Sequence, residues 1–326
     1  MVFHRMLMQV IWVGVILSAI MATTATTFPL ALPNCPDSCG NVKIPYPFGT
    51  TEGCYLNDTA DIDDGYYFIN CTSNAQGQRQ PMIWNLNVTS ISIESGEIGI
   101  QMYNSIDCYD QSGTPLSPNN TAAILHVPGF TVSVTKNKFV AVGCDTYAVL
   151  NGDLNGQASF VGCQSTCNNT LRAVSGACSG IGCCQMDIPQ DLTNIEFIAT
   201  SISNHTKVWN FNPCSFAFVI QKDKFNFSLD DLISLQNYET LPMVLDWAIG
   251  NETCEVARNT ENYVCGGNST CIDLKNRSGY RCQCRDGYRG NPYLKDGCPG
   301  IQYIYISTTI FLIKERKIMK RISTNF

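Results

Sequence analysis

Eighteen cysteines constrain this chain more than any other feature, because they fall into two even blocks. Twelve lie between Cys35 and Cys214, six lie between Cys254 and Cys298, and the stretch from Ser215 to Thr253 has none. Each block can therefore close its own bridges, and paired thiols persist only in an oxidising compartment. The N-terminus agrees. His4 and Arg5 precede an apolar run from Met6 to Ala22, and Ala22, Thr23, Thr24 and Ala25 then offer small residues for cleavage. That order is the one found in a secretory signal, so residues 1–25 are read as a signal peptide, with a permanent signal anchor as the alternative. Either way all 18 cysteines stay on the far side of the membrane, and disulfides rather than metal sites are the default reading.

Glycan acceptors point the same way. Asn-x-Ser/Thr triplets occur at Asn57, Asn70, Asn87, Asn119, Asn168, Asn204, Asn226, Asn251, Asn268 and Asn276. A bulky hydrated glycan can be carried only at the surface. The charge balance, 21 Lys+Arg against 27 Asp+Glu, lacks the basic face that phosphate neutralisation needs, so no nucleic-acid partner is expected. An apolar share of 44% argues against disorder.

Within the first block the apolar residues alternate. Ile91 and Ile93, then Ile98, Ile100 and Met102, flank Glu94-Ser95-Gly96-Glu97 and read as a hairpin. Phe130, Val132 and Val134, a polar turn at 135–138, and Phe139 to Val142 read as a second hairpin; Phe216, Phe218 and Ile220 read as a further strand with one buried face. Helix is expected only near Ser228-Leu229-Asp230-Asp231, where an N-cap precedes an acid at N3, and around Leu241 to Ile249. The predicted fold class is mostly β: a disulfide-rich extracellular domain of antiparallel sheets (30–214), a connecting segment with short helices (215–253), and a small module (254–298).

In that module the intervals between Cys254, Cys265, Cys271, Cys282, Cys284 and Cys298 are ten, five, ten, one and thirteen residues. Six cysteines alone allow fifteen pairings. The Cys282-Gln283-Cys284 step followed by Gly287, Tyr288 and Gly290 resembles the EGF-like module, and the resemblance implies Cys254–Cys271, Cys265–Cys282 and Cys284–Cys298. So few apolar residues cannot make a sufficient core without staples, and losing one bridge is expected to cost roughly 2–5 kcal/mol. Some EGF-like modules bind calcium. Asp273 fits one ligand position, but Gly250-Asn251-Glu252-Thr253 matches the others poorly and the six to eight oxygens of a calcium site are not in view, so no cofactor is expected unless calcium enters through the module or a polysaccharide.

The stretch from Cys35 through Cys39-Gly40-Asn41 and Ile44-Pro45-Tyr46-Pro47-Phe48-Gly49 resembles the opening of the galacturonan-binding domain of plant wall-associated receptor kinases. Gly162 to Cys167, Cys178 to Pro189, Asn212 to Val219 and Val244 to Ile249 support it in the same order, so the resemblance covers roughly residues 30 to 298. It implies an ectodomain, secreted or wall-associated, that contacts pectin (homogalacturonan). In the family a calcium-binding second module, a membrane helix and a kinase normally follow. Here Cys298 leads to Pro299-Gly300-Ile301, and no glycine-rich phosphate loop, catalytic-loop Asp with its Asn, or Asp-Phe-Gly occurs in the 326 residues, which are read as non-enzymatic. The tail 299–326 carries an apolar run from Ile301 to Ile313 followed by Lys314, Arg316, Lys317, Lys320 and Arg321. It reads as a truncated or alternatively spliced end, or else as a short single-pass anchor, although spanning takes about 20 residues.

A polyuronate binder needs cations or shared calcium. From Cys35 to Cys214 six basic residues face fifteen acids, a net of −9, so binding must come from a local cluster. Lys136 and Lys138 are the leading candidates, with Lys43, Arg79, and Tyr46 and Phe48 as sugar-stacking rings; Tyr66 and Tyr67 are further aromatics, and Asp61, Asp63 and Asp64 are the candidates for a calcium bridge. The alternative is a protein-interaction module whose EGF-like part docks a peptide or a membrane receptor. His126 and His205 have no adjacent nucleophile motif, and the vicinal Cys183-Cys184 is read as two staples to different partners.

Overall fold

The computed structural model describes residues 28–57, 65–116, 121–127, 129–154, 156–275 and 277–300. The signal peptide, the tail from 301, Asp61, Asp63, Asp64, Asn119 and Asn276 lie outside the described residues.

Among the described residues, three larger antiparallel sheets and a two-stranded one, Ser38–Cys39 with Val42–Lys43, build the first domain. A six-stranded sheet runs Asn70–Ser73, Arg79–Ile83, Leu86–Ser92, Glu97–Tyr103, Thr240–Trp247, Phe130–Val132. A four-stranded sheet runs Cys183–Met186, Asn137–Val142, Cys214–Gln221, Ser105–Cys108, and another runs Gln157–Thr166, Asp145–Leu154, Thr193–Ser201, Ala123–Leu125. Cys214–Gln221 is the central strand. Seven of its eight residues are buried because both its faces are covered, by Thr240–Trp247 on one side and Thr193–Ser201 on the other. Alternation at Phe216, Phe218 and Ile220 predicts one buried face; Ala217 and Val219 are buried too, and an uninterrupted apolar run is the pattern such a strand requires.

The first expected hairpin forms, with Ser92 opposite Glu97 and Ile91 opposite Ile98. The second does not. Phe130–Val132 pairs with Trp247, Asp246 and Leu245, whereas Asn137–Val142 pairs with Cys214–Gln221, so residues 133–136 cross between sheets. Asn137 fixes this crossover: fully buried, it donates to the Ser133 and Val244 carbonyls at 2.7 and 2.6 Å and accepts from Val244 N–H at 3.0 Å.

Segment 215–253 is not a connector. The helix expected around Leu241 to Ile249 is the strand Thr240–Trp247, whose buried Leu241, Met243, Leu245 and Trp247 alternate into the core. Pro242 is tolerated because Phe130–Val132 reaches only as far as Leu245, which leaves the strand at Pro242 with a neighbour on one side alone. The signal at Ser228 yields a single turn, Asp231–Ser234, with Asp231 Oδ2 accepting from Ser228 N–H at 2.7 Å.

All 18 cysteines are bridged. The first block closes as Cys35–Cys54, Cys39–Cys71, Cys108–Cys214, Cys144–Cys167, Cys163–Cys184 and Cys178–Cys183. The second closes as Cys254–Cys271, Cys265–Cys282 and Cys284–Cys298, around the hairpin Ser269–Asp273 with Tyr280–Cys284. Vicinal Cys183 and Cys184 thus staple two different neighbours.

Phe48 lies in an aromatic core, 5.4 Å from the Tyr67 ring and 5.3 Å from Trp247, edge-on to both. It is fully enclosed and cannot stack on a sugar. Phe48→Ala is expected to lower unfolding stability by about 3–5 kcal/mol through the cavity it leaves. A urea midpoint unchanged from the parent chain would contradict that placement.

Candidate functional site

Strand register brings a set of lysines together. Asn137–Val142 pairs with Cys214–Gln221 so that Lys138 is opposite Ile220 and Asn137 opposite Gln221, and the Lys222 N–H donates to the Lys136 carbonyl at 2.7 Å. The crossover turn and the end of the central strand are thereby held side by side. Lys138, Gln185, Met186, Asp187 and Lys222 line an open groove of about 360 Å³. The Lys138 ammonium donates to Gln185 Oε1 and the Phe225 carbonyl, both at 3.0 Å, and sits 5.6 Å above the Phe225 ring. Lys222 Nζ donates to the Val134 carbonyl at 3.0 Å and lies 3.7 Å from Asp187, an almost fully exposed carboxylate. Lys136 pairs with Glu97 at 3.7 Å, and Lys224 pairs with its neighbour Asp223 at 3.8 Å.

Partial burial, then the nearby Lys222 charge, lowers the Lys138 pKa. Two like charges facing one groove disfavour each other, and an anion between them removes the penalty. Lys222 and Lys224 are absent from the sequence-based candidates because they lie beyond Cys214. Continuing the strand pattern past Ile220 was the available signal.

The other candidates lie elsewhere. Lys43 is exposed and paired with Asp37 at 3.5 Å; the Ser38 hydroxyl, then Lys43, holds that carboxyl below its usual range. Arg79 donates through Nε to Cys71 Sγ at 3.2 Å. Its strand belongs to the six-stranded sheet, whereas Lys138 and Gln185 lie on the four-stranded sheet and Lys222 just follows its central strand, so Arg79 is not part of the lysine groove. Tyr46 is half-buried, its phenol pKa raised by burial and its carbonyl accepting from Asn291 Nδ2 at 2.7 Å. Tyr66 packs over Gly129, and buried Tyr67 donates to the Ala248 carbonyl at 2.6 Å. Asn57, Asn70, Asn168, Asn204, Asn226, Asn251 and Asn268 are exposed, and Asn87 is half-buried.

The module formed by residues 254–298 is docked on the same scaffold. Arg277 donates to Thr131 Oγ1, the Asp246 carbonyl and the Gly129 carbonyl at 2.8, 3.1 and 2.9 Å. Arg281 donates to the Trp247 carbonyl at 2.8 Å and to the Ser95 carbonyl at 2.6 Å. Ser95 belongs to the turn that carries Glu97, the partner of Lys136, so one turn touches both the module and the lysine cluster. Asp273 accepts from Cys254 N–H at 2.6 Å, and among the described residues no three His, Cys, Asp or Glu side chains converge as metal ligands.

His205 has a nucleophile-bearing neighbour that the sequence did not reveal. Its Nε2 is 2.9 Å from Ser215 Oγ and its Nδ1 is 2.7 Å from the Asn212 carbonyl. The ring therefore donates through Nδ1 and accepts from Ser215, whose oxygen accepts from Thr146 Oγ1 at 2.8 Å. His205 and Ser215 are both fully buried, so the pair is structural. Burial pushes the His205 pKa down, while Asp145 and Asp107 oppose the shift. The unfolded chain then takes up the proton first, so this histidine's contribution is present above its unfolded pKa, near 6.5, and falls away as pH drops below it. The melting temperature should fall between pH 7 and pH 5, and His205→Gln should lessen the fall; an identical fall in both would show that His205 does not drive it.

Comparison with known proteins gives the setting. The wall-associated receptor kinase galacturonan-binding family matches residues 35–102, and the wall-associated kinase family matches residues 175–256. Wall-associated receptor kinase 1 of Arabidopsis thaliana is 36% identical over 281 residues, covering 85% of this chain and 36% of that protein. Wall-associated receptor kinase 5 of the same plant is 39% identical over 274 residues, covering 82% and 34%. No solved structure matches. The chain thus carries a wall-associated receptor ectodomain. It is a member of the wall-associated receptor kinase family by its extracellular families, and spans about a third of the length of the curated relatives it matches. No helix among the described residues is long and apolar enough to cross a membrane.

Proposed function

We propose that this ectodomain binds de-esterified galacturonan in the cell wall at the groove between Lys138 and Lys222, with Lys136 at its rim. The observation that carries the reading is the convergence of these cations in a domain whose span from Cys35 to Cys214 has a net charge of −9. A polymer with one carboxylate per sugar is repelled by most of that surface, and the groove, where Lys138 and Lys222 meet the single exposed carboxylate of Asp187, keeps a local positive excess that a uronate can share by displacing Asp187 from Lys222. Each ammonium has three donors and Lys138 uses two on protein oxygens, leaving one for a uronate. The matched family's description as galacturonan-binding supports the same polymer class.

Calcium has no required part in this reading, since Asp273 is committed to the Cys254 amide and the groove supplies its own positive charge. The test is co-sedimentation of the secreted, glycosylated chain with homogalacturonan across a salt series, with calcium and with chelator. Saturable binding that weakens with salt and survives chelator supports the groove. Binding that appears only with calcium transfers the site to carboxylates. No binding under any condition leaves an interaction module with a protein partner.

A further inference from the structure

The sheet Gln157–Thr166, Asp145–Leu154, Thr193–Ser201, Ala123–Leu125 turns Ala148, Leu150, Phe197 and Ala199 inward and leaves its other face in solvent. On that outer face Phe160 is 75% exposed, Ile124 67% and Tyr147 42%. Ile124 is opposite Glu196, Glu196 opposite Asn151, and Asn151 opposite Phe160, so one row crosses all four strands. The Tyr147 ring lies down over the next strand, its hydroxyl and Cε2 3.4 and 3.7 Å from where a Cβ on Gly162 would stand. Phe160 is two residues from Gly162 on the same face, about 7 Å away by strand rise, so the two aromatic residues are neighbours on one face of the sheet.

The chemistry of the face selects its occupant. These four strands contain no Lys or Arg and three acids, Asp145, Asp153 and Glu196. Asp145 is engaged by Ser201, Ser203 and His205, and Asp153 by Asn194. Glu196 is left facing outward, so a polyanion is repelled. None of the ten glycan acceptor triplets falls on these strands, although exposed Asn168 and Asn204 lie just past the ends of two of them. The face therefore carries exposed Phe160, Tyr147 and Ile124 among the polar side chains of Asn151, Gln164 and Glu196, with no cation and no glycan acceptor on its strands, and exposed rings set among hydrogen-bonding groups mark a contact surface. An uncharged pyranose polymer complements it: C–H faces stack on the rings, and hydroxyls meet exposed Asn151 and Gln164.

We propose that this face is a second polysaccharide-binding surface, for a chain of uncharged pyranoses, with Tyr147 and Phe160 as the stacking residues. It stands independently of the lysine groove. The test is affinity electrophoresis of the glycosylated chain in gels containing fully methyl-esterified galacturonan or neutral galactan, at low and high salt. Salt-insensitive retention is expected, weakened about tenfold by Tyr147→Ala and by Phe160→Ser with the melting temperature unchanged. Retention on neither polymer, or retention that both variants preserve, would overturn the proposal. Concentration-dependent dimers that Phe160→Ser abolishes would assign the face to a second copy of the chain instead.

Discussion

Exchanging Lys138 and Lys222 together for glutamine is expected to weaken binding to de-esterified oligogalacturonate by about a hundredfold, roughly tenfold for each lysine. A charge-assisted hydrogen bond is worth about 1.5–3 kcal/mol when sheltered. The groove is open to water and salt, so about 1.4 kcal/mol, a factor of ten, is the appropriate share for each lysine. Phe225 and Gln185 already hold the Lys138 ammonium in place, so little rotamer entropy is lost there on binding. The double variant should also flatten the dependence of affinity on salt. Lys43→Gln, at an exposed ion pair with Asp37 away from the groove, should change affinity little. Equal losses from Lys43→Gln and the groove variants would mean that net charge is being read rather than this site. Isothermal calorimetry with a defined oligomer, at two salt concentrations, separates the outcomes.

The parts of this fold that sequence makes legible are those set locally. Ile98, Ile100 and Met102 alternate because one face of their strand meets the core, and Glu94-Ser95-Gly96-Glu97 supplies the turn, so that hairpin could be drawn from periodicity alone. Lys136 and Lys138 were visible as a basic pair. What makes them a groove is their pairing partner some eighty residues away: Lys222 arrives through the register of Asn137–Val142 with Cys214–Gln221, which no local pattern encodes. The same cause explains the misplaced helix at Leu241 to Ile249. Pro242 and a short apolar run fit either state, and only the neighbours Glu97–Tyr103 and Phe130–Val132 make it a strand. Phe48 misled for a related reason, since an aromatic beside Pro47 and Gly49 looks like a loop residue until Tyr67 and Trp247 close around it.

Arg277→Ala is expected to loosen the three-bridge module 254–298 without unfolding it. The three bridges inside the module hold its own fold, and none crosses to the first domain, so docking depends on noncovalent contacts. Arg277 contributes three hydrogen bonds to them and Arg281 contributes two. Removing Arg277 leaves the Gly129 and Asp246 carbonyls without that donor, at a cost of about 1.5–3 kcal/mol. The undocked population should then rise by roughly ten- to hundredfold. Arg277→Lys should rescue little, because one ammonium cannot reproduce a planar fork directed at three acceptors. Gly96→Ala tests the neighbouring clamp without replacing either arginine: Gly96 has a φ of +66°, and a Cβ there would push the Arg281 guanidinium aside. The readout is amide exchange at Ile249 and Tyr280, whose main chains pair reciprocally at 2.8 and 3.0 Å across the junction. Faster exchange at those two amides, with Thr270 and Gln283, paired within the module's own hairpin, still protected, is the expected signature of undocking. Protection at Ile249 and Tyr280 equal to that of the parent chain would mean that Trp247 packing at a tilt against Tyr293 and Asn291 bonding to Leu30 and Tyr46 hold the module without the arginines.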